Sequence, residues 1–279
     1  MFCSSNDSIV MGKNMEQAKA FLEESLDLDT LLGDVDTLDF SRPTGFKAWT
    51  IETILRHLHF WNQMALWALE DTAQLQETLL PVMEGFTNGS SLTEVEAQMV
   101  LAEGGSLVSD WRATYQQLAQ AYSQADPSQR CPWVGPSMSA RSCITARQME
   151  TWAHAQAIYD ELGRVRANTD RLHNIIVLGV NTFGWTFKVR GEAAPEQMPY
   201  VELTAPSGTL WTFGDKNSAS AIKGAAEEFA QVVTQTRHVE DTGLAYDGED
   251  AKRWLYNAQC FAGGPNPPPA PGSRFVRTD

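Results

Sequence analysis

Positive charge is scarce in this chain. Its 21 Lys and Arg stand against 35 Asp and Glu, a formal net charge of −14, and the pI is about 4.8. A protein of that sign repels polyanions, which argues against nucleic acid as the main partner. It also offers no polybasic patch to an anionic membrane surface. Long apolar runs are missing too, since no stretch approaches the roughly 18 to 20 residues that span a bilayer. The opening segment MFCSSNDSIVMGKNMEQ has no basic region followed by an apolar stretch. It reads as a short flexible arm over residues 1–14, not a secretory signal. Cysteine is sparse: Cys3, Cys131, Cys143 and Cys260 form no CxxC pair. That excludes a disulfide framework and zinc-finger spacing and fits a reducing cytoplasm, with the thiols buried or incidental.

What is present falls into two textures. Hydrophobic residues make up 43% of the chain, enough for sizeable cores. Residues 15–164 have little Gly or Pro inside their periodic stretches and read as helices. A first helix runs from Met15 to about Val35, with Phe21, Leu22, Leu26 and Leu32 on one face. DFSRPTGFKAWT breaks it, and Thr50 is a good N-cap for a second helix holding ILRHLHFWNQMALWAL. Trp49 and Ile54 flank that cap as a candidate hydrophobic staple. A third helical region spans Leu92–Ala125, interrupted at Gly104–Gly105, and a fourth spans Ala140–Leu162 with Gly163 as its stop. The expected fold is therefore an antiparallel four-helix bundle.

After Arg164 the period changes, and residues 165–264 read as a smaller α+β domain. NTFGWTFKVRG looks like a strand, and YVELTAPSGTLWTFG like a hairpin turning at Pro206–Ser207–Gly208. SAIKGAAEEFAQVVTQT reads as a helix, TGLAYDG as a short strand and DAKRWLYNAQCF as a closing helix. The Pro- and Gly-rich tail over 265–279 is expected to stay extended or disordered, without packing. The fold class is thus α plus α+β.

Of the five histidines, His57, His59, His154, His173 and His238, two stand out. Glu150 and His154 are spaced i, i+4, so both side chains lie on one face of their helix and reach one ion. His57 falls on the apolar stripe between Ile54 and Trp61, where a buried imidazole needs a partner for each ring nitrogen. A metal satisfies one, and a carbonyl or carboxylate behind the ring the other. Two His and one carboxylate leave coordination positions open, the pattern of a catalytic rather than a structural site. His59 lies on another helical face and reads as a surface residue. Trp61, Trp133 and Trp152 read as core aromatics or pocket walls, Asp160 as solvent-facing, and Ser139 as a weak candidate for substrate contact.

Several segments carry a family likeness. GFKAWTIETILRHLHFWNQMA resembles the entry to the metal-binding helix of DinB-like bundles, and METWAHAQAIYDELG resembles the second ligand helix of mycothiol-dependent maleylpyruvate isomerases. WVGPSMSARSCITARQMETWAHAQ, VELTAPSGTLWTFG and VVTQTRH together resemble an actinobacterial branch of that superfamily with both domains present. The resemblance implies metal ligands at His57, Glu150 and His154 and a divalent ion, usually zinc. It further implies a low-molecular-weight thiol, mycothiol or glutathione, as cofactor, and an arginine of the second domain reaching toward the metal, which falls on Arg237. The activity it implies is thiol-dependent isomerisation or transfer on a small unsaturated or carbonyl-containing metabolite. The same ligands also suit non-heme iron, a thiol-independent hydrolase or lyase, or a metal-stabilised binding protein without turnover.

Overall fold

The computed structural model describes residues 15–278, so the N-terminal arm and Cys3 lie outside the described residues. The first helix, α1 (Glu16–Gly33), buries Phe21, Ser25, Leu28 and Leu32, an i, i+4, i+7, i+11 stripe. Leu26, expected on that face, is instead 43% exposed. The helix α2 (Ile51–Glu70) starts as its sequence predicts: the Thr50 hydroxyl accepts the amide of Thr53 at 3.1 Å.

Three helices follow. One, α3 (Thr72–Thr87), was not legible in the sequence and holds an exposed Pro81. The next two, α4 (Leu92–Met99) and α5 (Gly104–Gln124), replace the single interrupted helix expected there. Their break falls at 100–103, ahead of the glycine pair, and Gly104 begins α5. A capping box between Ser91 and Glu94 starts α4 and fixes its direction. A two-residue antiparallel ribbon, β1 (Arg130–Cys131) and β2 (Met138–Ser139), leads into α6 (Ala140–Glu161). Gly163, at φ +64°, ends α6 in the left-handed turn that favours glycine.

The helices α1, α2, α5 and α6 form the bundle, with α1 and α2 each packed on both α5 and α6. Fully buried Phe21, Leu28, Leu55, Leu58, Trp111 and Leu118 fill its core; each such side chain contributes about 1.5–3 kcal/mol by leaving water. Helix α6 is buried on nearly every side because it serves two cores. Cys143, Ile144, Ala155 and Ile158 belong to the bundle, whereas Met149 and Trp152 belong to a second cluster built by the C-terminal half.

That half carries α7 (His173–Asn181) and then α8 (Phe183–Lys188), the latter where a strand was expected. The β-branched and aromatic content misleads: Phe183 and Phe187 are spaced i, i+4, their rings meet at 5.2 Å, and Phe183 packs on Trp254. Burial at helical spacing overrides strand propensity. A four-stranded sheet in the order β4-β3-β5-β6 follows. It comprises β3 (Tyr200–Thr204), β4 (Leu210–Phe213), β5 (Ala221–Ala225) and β6 (Ala245–Asp247). The β3–β4 hairpin turns at Pro206–Ser207–Gly208 as expected, and β5 runs parallel to β3. The segment read as one helix therefore splits into β5 and α9 (Ala226–Val233). Ile222 enters the core from β5, and Gly224 approaches Leu244 so closely that a Cβ would come within 2.8 Å of its side chain. The closing helix is α10 (Glu249–Leu255).

The Pro/Gly tail is extended but packed, contrary to expectation. Asn266 exchanges hydrogen bonds with Gln235 and Gln259. The Arg277 amide donates to the Asp160 carbonyl, and its guanidinium to Glu161 at 2.7 Å. Backbone groups that no sheet satisfies find side-chain partners here, which is what keeps a Pro-rich segment docked. No helix among the described residues is long and apolar enough to cross a membrane.

Candidate metal centre

Two helices of the bundle bring the expected ligands together. The nearest donor atoms of His57, Glu150 and His154 all lie within 4.8 Å of one another. Glu150 Oε2 stands 3.3 Å from His154 Nε2 and 3.7 Å from His57 Nε2. The i, i+4 spacing on α6 supplies one pair, and the apolar stripe of α2 turns His57 inward toward it.

A third element completes the arrangement. Glu96, from α4 and 1% exposed, binds His57 Nδ1 and the Trp61 indole N–H through one oxygen, each at 2.7 Å. With Nδ1 carrying the proton toward Glu96, the lone pair of Nε2 faces Glu150 and His154. Trp49 stacks on His154 with ring centroids 5.5 Å apart, and Phe46 meets the same ring edge-on at 4.9 Å. Both aromatics sit on the loop ahead of α2, which the Thr44 amide and hydroxyl fasten to the Trp49 carbonyl. Lys47, Ala48 and Gln235 are the non-glycine residues at left-handed φ among the described residues. Such strain costs on the order of 1–3 kcal/mol per residue and concentrates at functional sites. Lys47 and Gln235 both line pockets at this centre.

Burial opposes charge on every member, and the neighbours decide the outcome. Burial pushes the His57 pKa down, but Glu96 and Glu150 outweigh it and leave it above the usual imidazole value. His154 is lowered, mainly by burial, with Glu150 offsetting part of the effect. Burial would raise Glu150, yet its bonds to His154 and His57 and the Arg147 charge hold it well below the ordinary carboxylate range. A carboxylate thus faces two imidazole nitrogens, one with its lone pair aimed inward. That donor set fits a divalent cation. The centre opens onto a cavity of about 400 Å³, lined in part by Trp49, Trp61, Phe86, Trp133, Arg147 and Phe261. On its other side Glu150 and His154 face a smaller pocket closed by Thr234, Gln235, Thr236 and Arg274.

The sequence profile of the mycothiol maleylpyruvate isomerase N-terminal domain matches residues 21–159, the stretch that carries all three donors. The chain belongs to the DinB-like, mycothiol-dependent maleylpyruvate isomerase superfamily. Its similar relatives include two proteins of Mycobacterium tuberculosis, from strains CDC 1551 and H37Rv, both named only as uncharacterized. Each is 36% identical over 242 residues, covering 87% of this chain and 93% of the relative. The crystal structure of a mycothiol-dependent maleylpyruvate isomerase superposes with a TM-score of 0.52 at 16% identity, over 83% of this chain and 91% of that one. A histidine-to-alanine mutant of that isomerase matches equally. At that identity the superposition speaks for the fold, a helical bundle followed by an α+β part.

Other residues singled out from the sequence land elsewhere. Arg237, the arginine implied by superfamily likeness, donates to both carboxylate oxygens of Asp160 at 2.7 and 2.6 Å and to the Thr236 carbonyl. It is not among the side chains lining either pocket at the centre. Asp160, expected in solvent, is buried as its partner. Ser139 caps α6 by accepting the Ser142 amide, which accounts for it without a substrate. His59 is half-buried and belongs to neither pocket at the centre. Trp61 and Trp133 are cavity walls, whereas Trp152 is core. Cys131, Cys143 and Cys260 are free and buried, as expected. Glu96, Arg147 and Arg274 were missed. Arg147 was findable, since Arg147, Glu150 and His154 at i, i+3, i+7 share one face of α6. Glu96 and Arg274 carry no local signal.

Proposed function

We propose that this protein is a metal-dependent enzyme acting on a small unsaturated or carbonyl-containing metabolite by thiol-dependent isomerisation or transfer. His57, Glu150 and His154 are the ligands of a divalent ion, zinc before iron. The observation that carries this reading is the convergence of the three donors on an open cavity, with Glu96 Oε1 2.7 Å from His57 Nδ1 on the side away from the centre. Such an ion supplies Lewis acidity and lowers the pKa of a bound thiol or water. The protein's own part is orientation and exclusion. Glu96 fixes the His57 ring from behind. Phe46 and Trp49 hold the His154 ring and keep bulk water from that side. Arg237 enters as a positioning residue: anchored on Asp160, it steadies the turn whose Thr234, Gln235 and Thr236 face Glu150 and His154.

Thiol dependence is supported by the superfamily and by the name of the solved isomerase, which uses mycothiol. Elemental analysis of the purified protein should find roughly one ion per chain, as a three-ligand centre requires. Melting of the metal-loaded protein should then rise on adding mycothiol or glutathione, because a ligand of the native state stabilises it. Metal without any thiol response leaves a hydrolase or lyase, and metal without any response to thiols or small carbonyl compounds leaves a binding protein. Absence of metal overturns the centre.

A further inference from the structure

Arg147 stands apart from the other buried arginines. Arg166 is paired with Glu24, and Arg237 with Asp160. Arg147 is 3% exposed, yet among the described residues no carboxylate forms an ion pair with it. Its Nε donates to Asn62 Oδ1 at 3.0 Å, and its buried Nη2 has no partner. Burial lowers its pKa, and Glu150, Cys143 and Glu96 favour its charge only at a distance. A guanidinium withdrawn from water without a hydrogen-bonded counter-ion is unfavourable and persists where something else completes it. Arg147 lines the same 400 Å³ cavity as the three donors, so the completing group has room to enter there.

We propose that Arg147 is the anion-binding residue of this cavity and takes the carboxylate of a small organic acid whose other end lies at the His57–Glu150–His154 centre. The proposal deepens the reading of the cavity as a substrate site and rests on it. Arginine suits the task because its planar fork matches a carboxylate, and Asn62 holds the guanidinium by Nε without supplying a counter-charge. The cavity volume is that of a small-molecule pocket. Trp61, Trp133 and Phe86 give the ligand's body an apolar wall, and the exposed Lys47 adds positive charge at the rim. Glu150 faces the same space and opposes an anion, while Glu96 lies behind His57. Glu96 is hydrogen-bonded by His57 and Trp61, and Glu150 lies against the two imidazoles, so neither carboxylate pairs directly with the Arg147 guanidinium at the wall. The chain's overall negative charge makes such a local cation necessary for an acidic ligand.

Calorimetric titration with succinate and with its uncharged diamide tests this, on metal-loaded and chelator-treated protein, with metal content and circular dichroism recorded for each sample. Succinate should bind the wild type and the diamide should not. Arg147→Met should weaken succinate roughly tenfold or more, as loss of a charge-assisted hydrogen bond implies, while keeping the metal. Arg147→Lys, which retains charge but not the fork, should fall between the two and decides the matter if the Met variant does not fold. Equal succinate affinity in wild type and either folded variant overturns the proposal, as does diamide binding equal to succinate or no succinate binding at all. Wild type that binds succinate through Arg147 but holds no metal would sink the metal centre and leave the anion site standing. Metal retained with no effect of Arg147 would do the reverse.

Discussion

The C-terminal end and the middle of α6 both set carboxylates against nitrogen donors, and they do so in opposite styles. At the C-terminal end Asp160 takes two short bonds from one guanidinium, and Arg277 of the tail reaches Glu161 at 2.7 Å. These pairs join the bundle to the second half and the tail, and both Asp160 oxygens are met, leaving Glu161 Oε2 and Gln156 Oε1 as the unmet atoms there. About three turns earlier Glu150 meets two imidazoles at 3.3 and 3.7 Å, and around it lie the unmet polar atoms His154 Nδ1, Arg147 Nη2, Asn62 Nδ2 and Glu96 Oε2. A protein satisfies buried polar groups almost everywhere. A cluster of exceptions around one cavity marks the place built for something the chain does not itself supply. The paired end serves cohesion, and the unpaired middle serves binding.

That contrast is breakable. The largest effect should come from His154→Ala, which removes one of three ligands; metal content should drop from roughly one ion per chain to traces, with circular dichroism unchanged. A fully loaded variant would end the assignment. Asp160→Ala should do the opposite. It should cost about 3–5 kcal/mol in urea unfolding, because Arg237 is left buried and unpaired, yet spare the metal. A cost below about 1 kcal/mol, or loss of metal in folded protein, would erase the distinction between the two regions.

Legibility followed the same line. Glu150 and His154 were readable because one helix sets their spacing, and the Thr50 cap and the Pro206–Gly208 turn because a few neighbouring residues suffice. The helix α8 and the docked tail were misread because their stability comes from partners distant in sequence. Phe183 on Trp254 and Arg277 on Glu161 are such contacts.

Two smaller tests sharpen the comparison. Glu96→Gln keeps an acceptor for the Trp61 indole but weakens the hold on His57. It should lower metal affinity about 10–100-fold in chelator competition, the usual range for a carboxylate behind a ligating histidine. Unchanged affinity would make Glu96 a packing residue. The smallest effect belongs to Asp29, an ion pair at the rim of the bundle. The Arg112 hydrogen bond lowers its pKa most; burial opposes it, and the Tyr115 hydrogen bond adds to the lowering. A carboxyl whose folded pKa is depressed contributes stability above its unfolded pKa of about 4 and loses it as the pH falls through the folded value. Asp29→Asn should therefore flatten the acid side of the stability curve below about pH 4 while changing neutral stability less than Asp160→Ala. A larger loss at neutral pH would place Asp29 with the buried pairs.

The amino-acid order alone determined the bundle, the Thr50 start of α2, the Gly163 stop of α6 and the paired donors on α6, because helix periodicity and capping are local. It also determined that His57 faces inward, through the apolar stripe of α2. Only the tertiary structure decided what stands behind and beside those donors. Glu96 comes from a different helix, Arg237 is consumed by Asp160, and Arg147 is left without an ion pair among the described residues. Those outcomes turn on which charges share a water-free volume. Desolvation and pairing are set by distances that fall off within a few ångströms in space, and spacing along the chain carries no record of them.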